Sequence, residues 1–242
     1  MPASRFLTAR WEHLVLFNYI VDPACLRPLV PAGTELDDWH GRYYVSLVGF
    51  QFRNTRVLGV PLPGHRHFEE VNLRFYVRRD AADGRRRAVV FIRELVPRRA
   101  IAAVAYAIYN EPYLAVPMSH QVDVNPTTGG AVRYGWRFRG TDYAMDAVVE
   151  GRPAYLDPSS EGAFITEHYW GYTRQRDGGT LEYEVEHPPW LVWTPTAATF
   201  TGRALELYGA TFGPVLMNPP ASAFVALGSP VVVRRGRRLA SP

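Results

Sequence analysis

The stretch Phe68-Glu69-Glu70-Val71-Asn72-Leu73-Arg74-Phe75-Tyr76-Val77 decides how this chain is read. Apolar and polar residues alternate along it, and successive side chains of a β-strand point to opposite faces. One face holds Glu69, Val71, Leu73, Phe75 and Val77, which is an ordinary core face. The other holds Glu70, Asn72, Arg74 and Tyr76, a continuous stripe of acid, amide, guanidinium and phenol. Spacing admits two readings of that stripe. It is either the wet face of an antiparallel sheet, the commoner arrangement, or the lining of a polar cavity inside a curled sheet.

Working outward, residues 71–78 and 87–95 form a hairpin around Ala81-Ala82-Asp83-Gly84. Residues 13–20, 43–52, 131–139, 143–149, 170–174 and 180–186 also have strand character, and Asp177-Gly178-Gly179 joins the last two. Residues 204–208 and 231–234 are weaker strand candidates. Helices are predicted over 22–29, where Asp22 caps and Pro23 occupies the first position, and over 97–109, apolar almost all round. A third runs from Ser159 or Ser160 to His168. About ten strands and three short helices predict an α+β fold, mainly antiparallel β, curled into a barrel or a sandwich with helices at the ends. The 242 residues show no repeat or linker and read as one domain with a basic tail over 235–242.

Composition narrows the chemistry. The chain is 47% hydrophobic and 21% charged, as globular proteins are. No apolar run approaches the roughly 20 residues of a membrane-spanning helix, and the N-terminus lacks a signal-type apolar core. A single cysteine, Cys25, forms no internal disulfide and reads as buried and inert, so a cytoplasmic location fits best. All 27 basic side chains are arginine; there is no lysine. That excludes Schiff-base catalysis, covalently held pyridoxal phosphate and a Walker-type phosphate loop. A GC-rich genome produces the same bias, but the chemical exclusion holds in either case. Arg78–Arg79 and Arg85–Arg87 read as solvated strand ends and Arg234–Arg238 as part of a basic end. No nucleic-acid module accompanies them, so no nucleic-acid partner is expected.

Two further segments bear on a site. In Ile92-Arg93-Glu94-Leu95-Val96-Pro97-Arg98-Arg99-Ala100 a strand end meets a helix start. Glu94 suits the helix N-terminus, whereas Arg98 and Arg99 oppose its dipole. Either an anionic partner attracts them, be it Glu94, Glu70 or a carboxylate ligand, or they are simply exposed in a first turn. His65-Arg66-His67 beside Glu69 and Glu70 has metal-like spacing, but it lies in a Pro63-Gly64 loop and lacks further locatable ligands, so no metal is predicted. His187 reads as a hydrogen-bonded structural residue, and His168 as either structural or functional.

Several segments together are similar to a known family. They are Pro31 to Leu36, Tyr44 to Phe50, Phe68 to Val77, Asn110-Glu111-Pro112-Tyr113, Phe164-Ile165-Thr166-Glu167-His168-Tyr169 and His187-Pro188-Pro189-Trp190. The pattern resembles the YqjF-like family (domain of unknown function 2071), grouped with the acetoacetate decarboxylase-like superfamily. The resemblance implies an antiparallel sheet wrapped into a cone or barrel around a small polar cavity, with the Glu70–Tyr76 stripe facing inward. Acetoacetate decarboxylases carry Arg-Glu-Leu and then Pro-Lys-Lys, whose first lysine forms the Schiff base. Here the similar stretch is Arg93-Glu94-Leu95 followed by Pro97-Arg98-Arg99, which sets Arg98 in the nucleophile's place. A guanidinium cannot form that iminium, so the superfamily's decarboxylase chemistry is expected to be absent and an anion-binding pocket to remain.

The resulting expectation is a cavity protein that binds a small carboxylate or oxo acid without a cofactor. Glu70 and Tyr76 are the candidate catalytic residues, and Asn72, Arg74, Arg98 and Glu94 the candidate binding residues. Whether Glu69 or Glu70 faces the cavity stays open. Burial raises a Glu70 pKa and Arg74 lowers it. The chemistry within reach is that of a lyase or isomerase working by proton transfer. The alternatives are a non-catalytic carrier or sensor, and a structural network pairing Arg74 with Glu70. The expected partner is a small anion, with no membrane and with self-association left open.

Overall fold

Runs of alternating Val, Leu, Phe and Tyr make long strands because each face can bury its own apolar set. The computed structural model describes residues 3–61, 63–98, 110 and 112–239. Arg99 and the body of the helix expected over 97–109 lie outside them. In the first half come β1 (Arg5–Val21), β2 (Glu35–Leu36), β3 (Tyr43–Val57), β4 (Val60–Pro61), β5 (Phe68–Ala81), β6 (Gly84–Val96) and β7 (Tyr113–Ala115). Next follow β8 (Met118–Asn125), β9 (Gly129–Phe138), β10 (Thr141–Glu150), β11 (Ala154–Tyr155), α1 (Glu161–Thr166), β12 (Trp170–Arg174) and β13 (Thr180–Glu186). The chain ends with β14 (Leu191–Trp193), β15 (Ala197–Thr201), α2 (Ala204–Leu216), β16 (Ser222–Arg234) and β17 (Arg237–Arg238).

The main sheet runs β11-β14-β16-β1-β3-β5-β6-β12-β13-β17 and is mostly antiparallel; β12 and β7 lie parallel to β6. β15-β10-β9-β8 form a second sheet. The main sheet curls until β13 meets β16 at Val185↔Val233 and Glu186↔Val232. It is a curled sheet, and this corrects the barrel allowed by the sequence reading. β16 has two partners on one side: β14 takes the part at Val225 and Ala226, and β13 the part at Val232 and Val233. The sheet therefore forks at β16.

Both faces of the central strands are covered. Val15, Phe17, Val45, Leu47, Val71, Leu73 and Phe75 pack outward against Tyr134, Trp136, Tyr143 and Met145 of the second sheet and Leu207 and Phe212 of α2. The alternate residues Leu14, Leu16, Val48, Phe50 and Tyr76 pack inward with Phe164, Ile165 and Trp190. The sheets approach closely at Gly49, where a Cβ would sit 2.8 Å from the Tyr134 ring. The wet-face reading of the Glu70–Tyr76 stripe therefore does not apply.

Other local readings also change. Residues 204–208, expected as a strand, begin α2, whose buried Ala204, Leu207, Tyr208, Phe212 and Leu216 follow helical spacing. Gly209, at φ 72°, and Pro214 interrupt that pattern. Residues 22–29 form two separate single turns, Pro23–Cys25 and Arg27–Leu29, because Pro28 lacks the N–H that a continuous helix needs. The helix predicted to His168 stops at Thr166, and its Ser160 cap accepts from the Ala163 N–H. Arg86 is not a solvated strand end: its Nη1 donates to the buried Glu182 at 2.5 Å and its guanidinium lies 4.0 Å from the Trp170 ring. Arg237 and Arg238, in the expected basic tail, pair with Glu182 and Leu181 of β13. None of the described helices is long and apolar enough to cross a membrane.

Candidate functional site

The inward curl lines a half-open cavity of about 380 Å³. Glu70 and Arg74 of β5 and Glu94 of β6 form one polar pole, with Tyr113, Thr166 and His168 beside them. Strict alternation along β6 would place Phe91 and Glu94 on opposite faces. A register shift prevents this: Leu73 pairs with Arg93 and Arg74 with Phe91, leaving Ile92 without a partner. That bulge lets Phe91 and Glu94 share the cavity wall while Ile92 packs into the outer core.

Glu70 is only 3% exposed. Asn72 Nδ2 donates to its Oε1 at 3.0 Å and Tyr113 Oη to its Oε2 at 3.1 Å. Burial raises its pKa to about 7, although both hydrogen bonds and the nearby Arg74 charge pull the other way. A carboxyl so placed carries and releases a proton at neutral pH. Each oxygen is fixed by one donor and retains acceptor capacity.

Arg74 is 8% exposed. Its Nη2 donates to the Ile165 carbonyl at 3.4 Å, and its Nε–H is buried without a partner among the described residues. A buried cation so lightly satisfied is costly unless an anion completes it. His168 lies 4.6 Å from the Tyr76 ring, centroid to centroid. Burial, reinforced by Arg87 and Arg74, holds its pKa well below the usual histidine range, while the Ile165 carbonyl opposes the shift. The ring is therefore neutral at pH 7. Neither nitrogen makes a well-formed hydrogen bond among the described residues.

The structure brings together Glu70, Arg74 and Glu94 of the predicted set, and of the two adjacent acids it is Glu70 that faces the cavity. Glu69 lies in a separate small hollow, where its Oε1 accepts from His120 Nδ1 at 2.6 Å. Asn72 stands behind the wall and holds Glu70. Tyr76 also stands behind it, and its Oη bonds Ser46 Oγ at 2.6 Å. Ser46 Oγ donates to Asn18 Oδ1, Asn18 Nδ2 to Ser222 Oγ and Ser222 Oγ to Glu161 Oε1. Because Ser46 spends its proton on Asn18, Tyr76 donates its own to Ser46, away from the cavity. Arg98 is exposed and does not reach the cavity wall. His65 and His67 diverge: His65 Nδ1 meets the Pro63 carbonyl at 2.8 Å, and His67 Nδ1 accepts from the Asn54 N–H at 3.4 Å. No cluster of three or more metal-ligating side chains occurs among the described residues. Sequence reasoning assigned no role to Tyr113 and left His168 undecided. The signal for both was a polar aromatic or imidazole beside an otherwise apolar segment.

A family model matches residues 8–231, that of the uncharacterized conserved proteins DUF2071. The chain belongs to the DUF2071 family. Uncharacterized protein YqjF of Bacillus subtilis is 28% identical to this DUF2071 protein over 206 residues, covering 83% of this chain and 81% of that one. Among solved structures, acetoacetate decarboxylase from Legionella pneumophila is similar with a TM-score of 0.70 at 13% identity, over 98% of this chain and 88% of that one. The enduracididine biosynthesis enzyme MppR, complexed with pyruvate, gives 0.69 at 15% identity, over 100% and 93%. An acetoacetate decarboxylase-like enzyme from Sphingomonas wittichii gives 0.66 at 13% identity, over 99% and 95%. The DUF2071 chain thus has the acetoacetate decarboxylase-like fold, as the sequence resemblance implied.

Proposed function

We propose that this protein binds a small oxo acid and moves a proton at the carbon next to its carbonyl, with Glu70 as general acid and base. The observation that carries the reading is a buried carboxyl with a pKa raised to about 7, facing a cavity it shares with an under-satisfied guanidinium. Arg74 receives the carboxylate or the developing enolate oxygen, where a fixed cation in a water-poor site is most effective. Neutral His168 supplies a hydrogen-bond donor or acceptor to the same head group. Asn72 and Tyr113 orient the Glu70 oxygens, and Glu94 provides a second carboxyl at the pole. Arg98 has no part in this scheme. The pyruvate complex of MppR supports the choice of an oxo acid as ligand class. With no lysine in the chain, turnover proceeds by proton transfer without an iminium, as lyase or isomerase chemistry of an enolisable acid.

Deuterium exchange tests this. Incubated in D₂O with pyruvate or phenylpyruvate, the wild-type protein is expected to accelerate loss of the α-proton NMR signal. Glu70→Gln is expected to lower that rate by about a hundredfold or more, the usual effect of removing a general base, and to retain binding. Binding without exchange in the wild type would identify a carrier or sensor instead, and absence of binding would end the oxo-acid reading.

A further inference from the structure

Next to the polar pole, where His187 meets the His168 backbone, the cavity wall is aromatic. Trp11 is its hub: the ring lies 6.0 Å from Phe52 and 6.3 Å from both Trp190 and His187, centroid to centroid. His187 stacks on Trp190 at 4.3 Å with an interplanar angle of 15°. Burial, opposed by the Pro188 carbonyl, lowers the pKa of His187, so this flat surface is uncharged at pH 7. Phe91, Tyr183 and Val233 also line the cavity, which makes this part of it a largely apolar slot between rings.

Size and hydrogen bonding point the same way. A volume of about 380 Å³ equals roughly a dozen water-sized groups, and a three-carbon oxo acid fills about half of that. A head group docked at Glu70 and Arg74 leaves the apolar slot empty or wet, and a dewetted aromatic slot favours a flat apolar occupant. The two tryptophans differ. Trp190 Nε1 donates to Ser229 Oγ at 2.9 Å, whereas the Trp11 Nε1–H is buried without a partner among the described residues.

We propose that the cavity selects an oxo acid bearing an aromatic or planar unsaturated tail, which lies in the Trp11–Trp190–His187 slot while the acid end meets Glu70 and Arg74. An acceptor at the far end of that tail, such as a hydroxyl oxygen, satisfies the Trp11 N–H. The proposal rests on the oxo-acid reading above, but its test separates the two.

Binding of pyruvate, phenylpyruvate, para-hydroxyphenylpyruvate and the uncharged 2-phenylethanol is measured calorimetrically on the intact protein. Phenylpyruvate is expected to bind at least tenfold tighter than pyruvate, and the hydroxylated acid tighter again. Val233→Trp, which fills the slot, is expected to erase the preference for phenylpyruvate over pyruvate. Trp11→Phe is expected to remove the gain from the hydroxyl group. Pyruvate binding as tightly as phenylpyruvate overturns the slot and leaves the oxo-acid reading intact. Equal binding of 2-phenylethanol and phenylpyruvate, with the same Val233→Trp loss, supports the slot and overturns the acid-binding pole. A phenylpyruvate preference untouched by Val233→Trp places the ring elsewhere and overturns the slot. No binding of any of the four compounds overturns both.

Discussion

Glu70 and Glu182 are both buried carboxylates of the main sheet, at 3% and 0% exposure, yet they are opposites. Glu182 accepts from Tyr172 Oη at 2.7 Å, Arg86 Nη1 at 2.5 Å, Arg237 Nε at 2.9 Å and Arg79 Nη1 at 3.3 Å. Burial alone would raise its pKa, but those donors together hold it below the usual glutamate range. Glu70 receives one amide and one phenol, and its pKa climbs to about 7. Burial therefore does not decide what a carboxylate does; the number of charged donors around it does. One carboxylate joins β13 to β5, β6 and β17, and the other is free to trade a proton.

The largest expected effect comes from breaking the fully paired member. Glu182→Gln leaves Arg86, Arg79 and Arg237 converging on a neutral amide, with Asp83 the anion that remains on Arg86. Chemical denaturation is expected to show a loss of about 3–5 kcal/mol, typical of a broken buried ion pair. A loss below about 1 kcal/mol would show that the cluster does not hold that side of the sheet.

The second is a pH signature. Glu70 has an ordinary value of 4.5 and is raised to about 7 in the fold. Between those values the folded protein holds a proton that the unfolded chain has released, so stability falls as pH rises through that window. The full shift corresponds to about 3 kcal/mol. Glu70→Gln removes the buried charge, so the variant is expected to unfold at higher temperature than wild type at pH 8 and to match it near pH 4.5. Glu182 has the reverse sign: its pKa is lowered, so its contribution is present above the unfolded value and fades as pH falls. Identical pH profiles for the wild type and Glu70→Gln would remove the distinction between the two acids.

The smallest effect is a control. Arg133 Nη1 reaches both Asp146 oxygens at 2.6 and 2.7 Å, shorter than most contacts of Glu182, but both side chains are solvent-exposed. Asp146→Asn is expected to cost under about 0.5 kcal/mol in the same denaturation assay. A larger cost would mean that distance matters more than burial here.

Alternation made the Glu70–Tyr76 stripe legible in the sequence, but not which way it faced. That depended on a second sheet, two of whose strands were hidden. β8 is an edge strand whose alternation of Met118, Val122 and Val124 is broken by His120, and β15 has five residues with Phe200 as its one large apolar side chain, so neither has a strong apolar period. The family resemblance sets Arg98 at the site, and a shared motif does not report where a strand end leaves the sheet. Glu94 was legible as an acid near a strand end, but its shared wall with Phe91 was not, because a bulge leaves no composition signal. Arg86 looked solvated because its partner Glu182 lies 96 positions away, beyond any local pattern.

The unpaired Ile92 in β6 has a consequence for how this interior tolerates change. It acts as a phase setter: everything on its Glu94 side is half a period out of step with everything on its Phe91 side. Deleting that one residue removes the bulge and leaves Phe91 and Glu94 two positions apart, so plain alternation keeps both on the chamber face. Were Ile92 instead drawn into the ladder at full length, Glu94 would be carried to the outer core, or Phe91 out of the chamber, with no side chain altered in kind. Pairing at this single position decides whether Phe91 and Glu94 line one chamber or stand back to back.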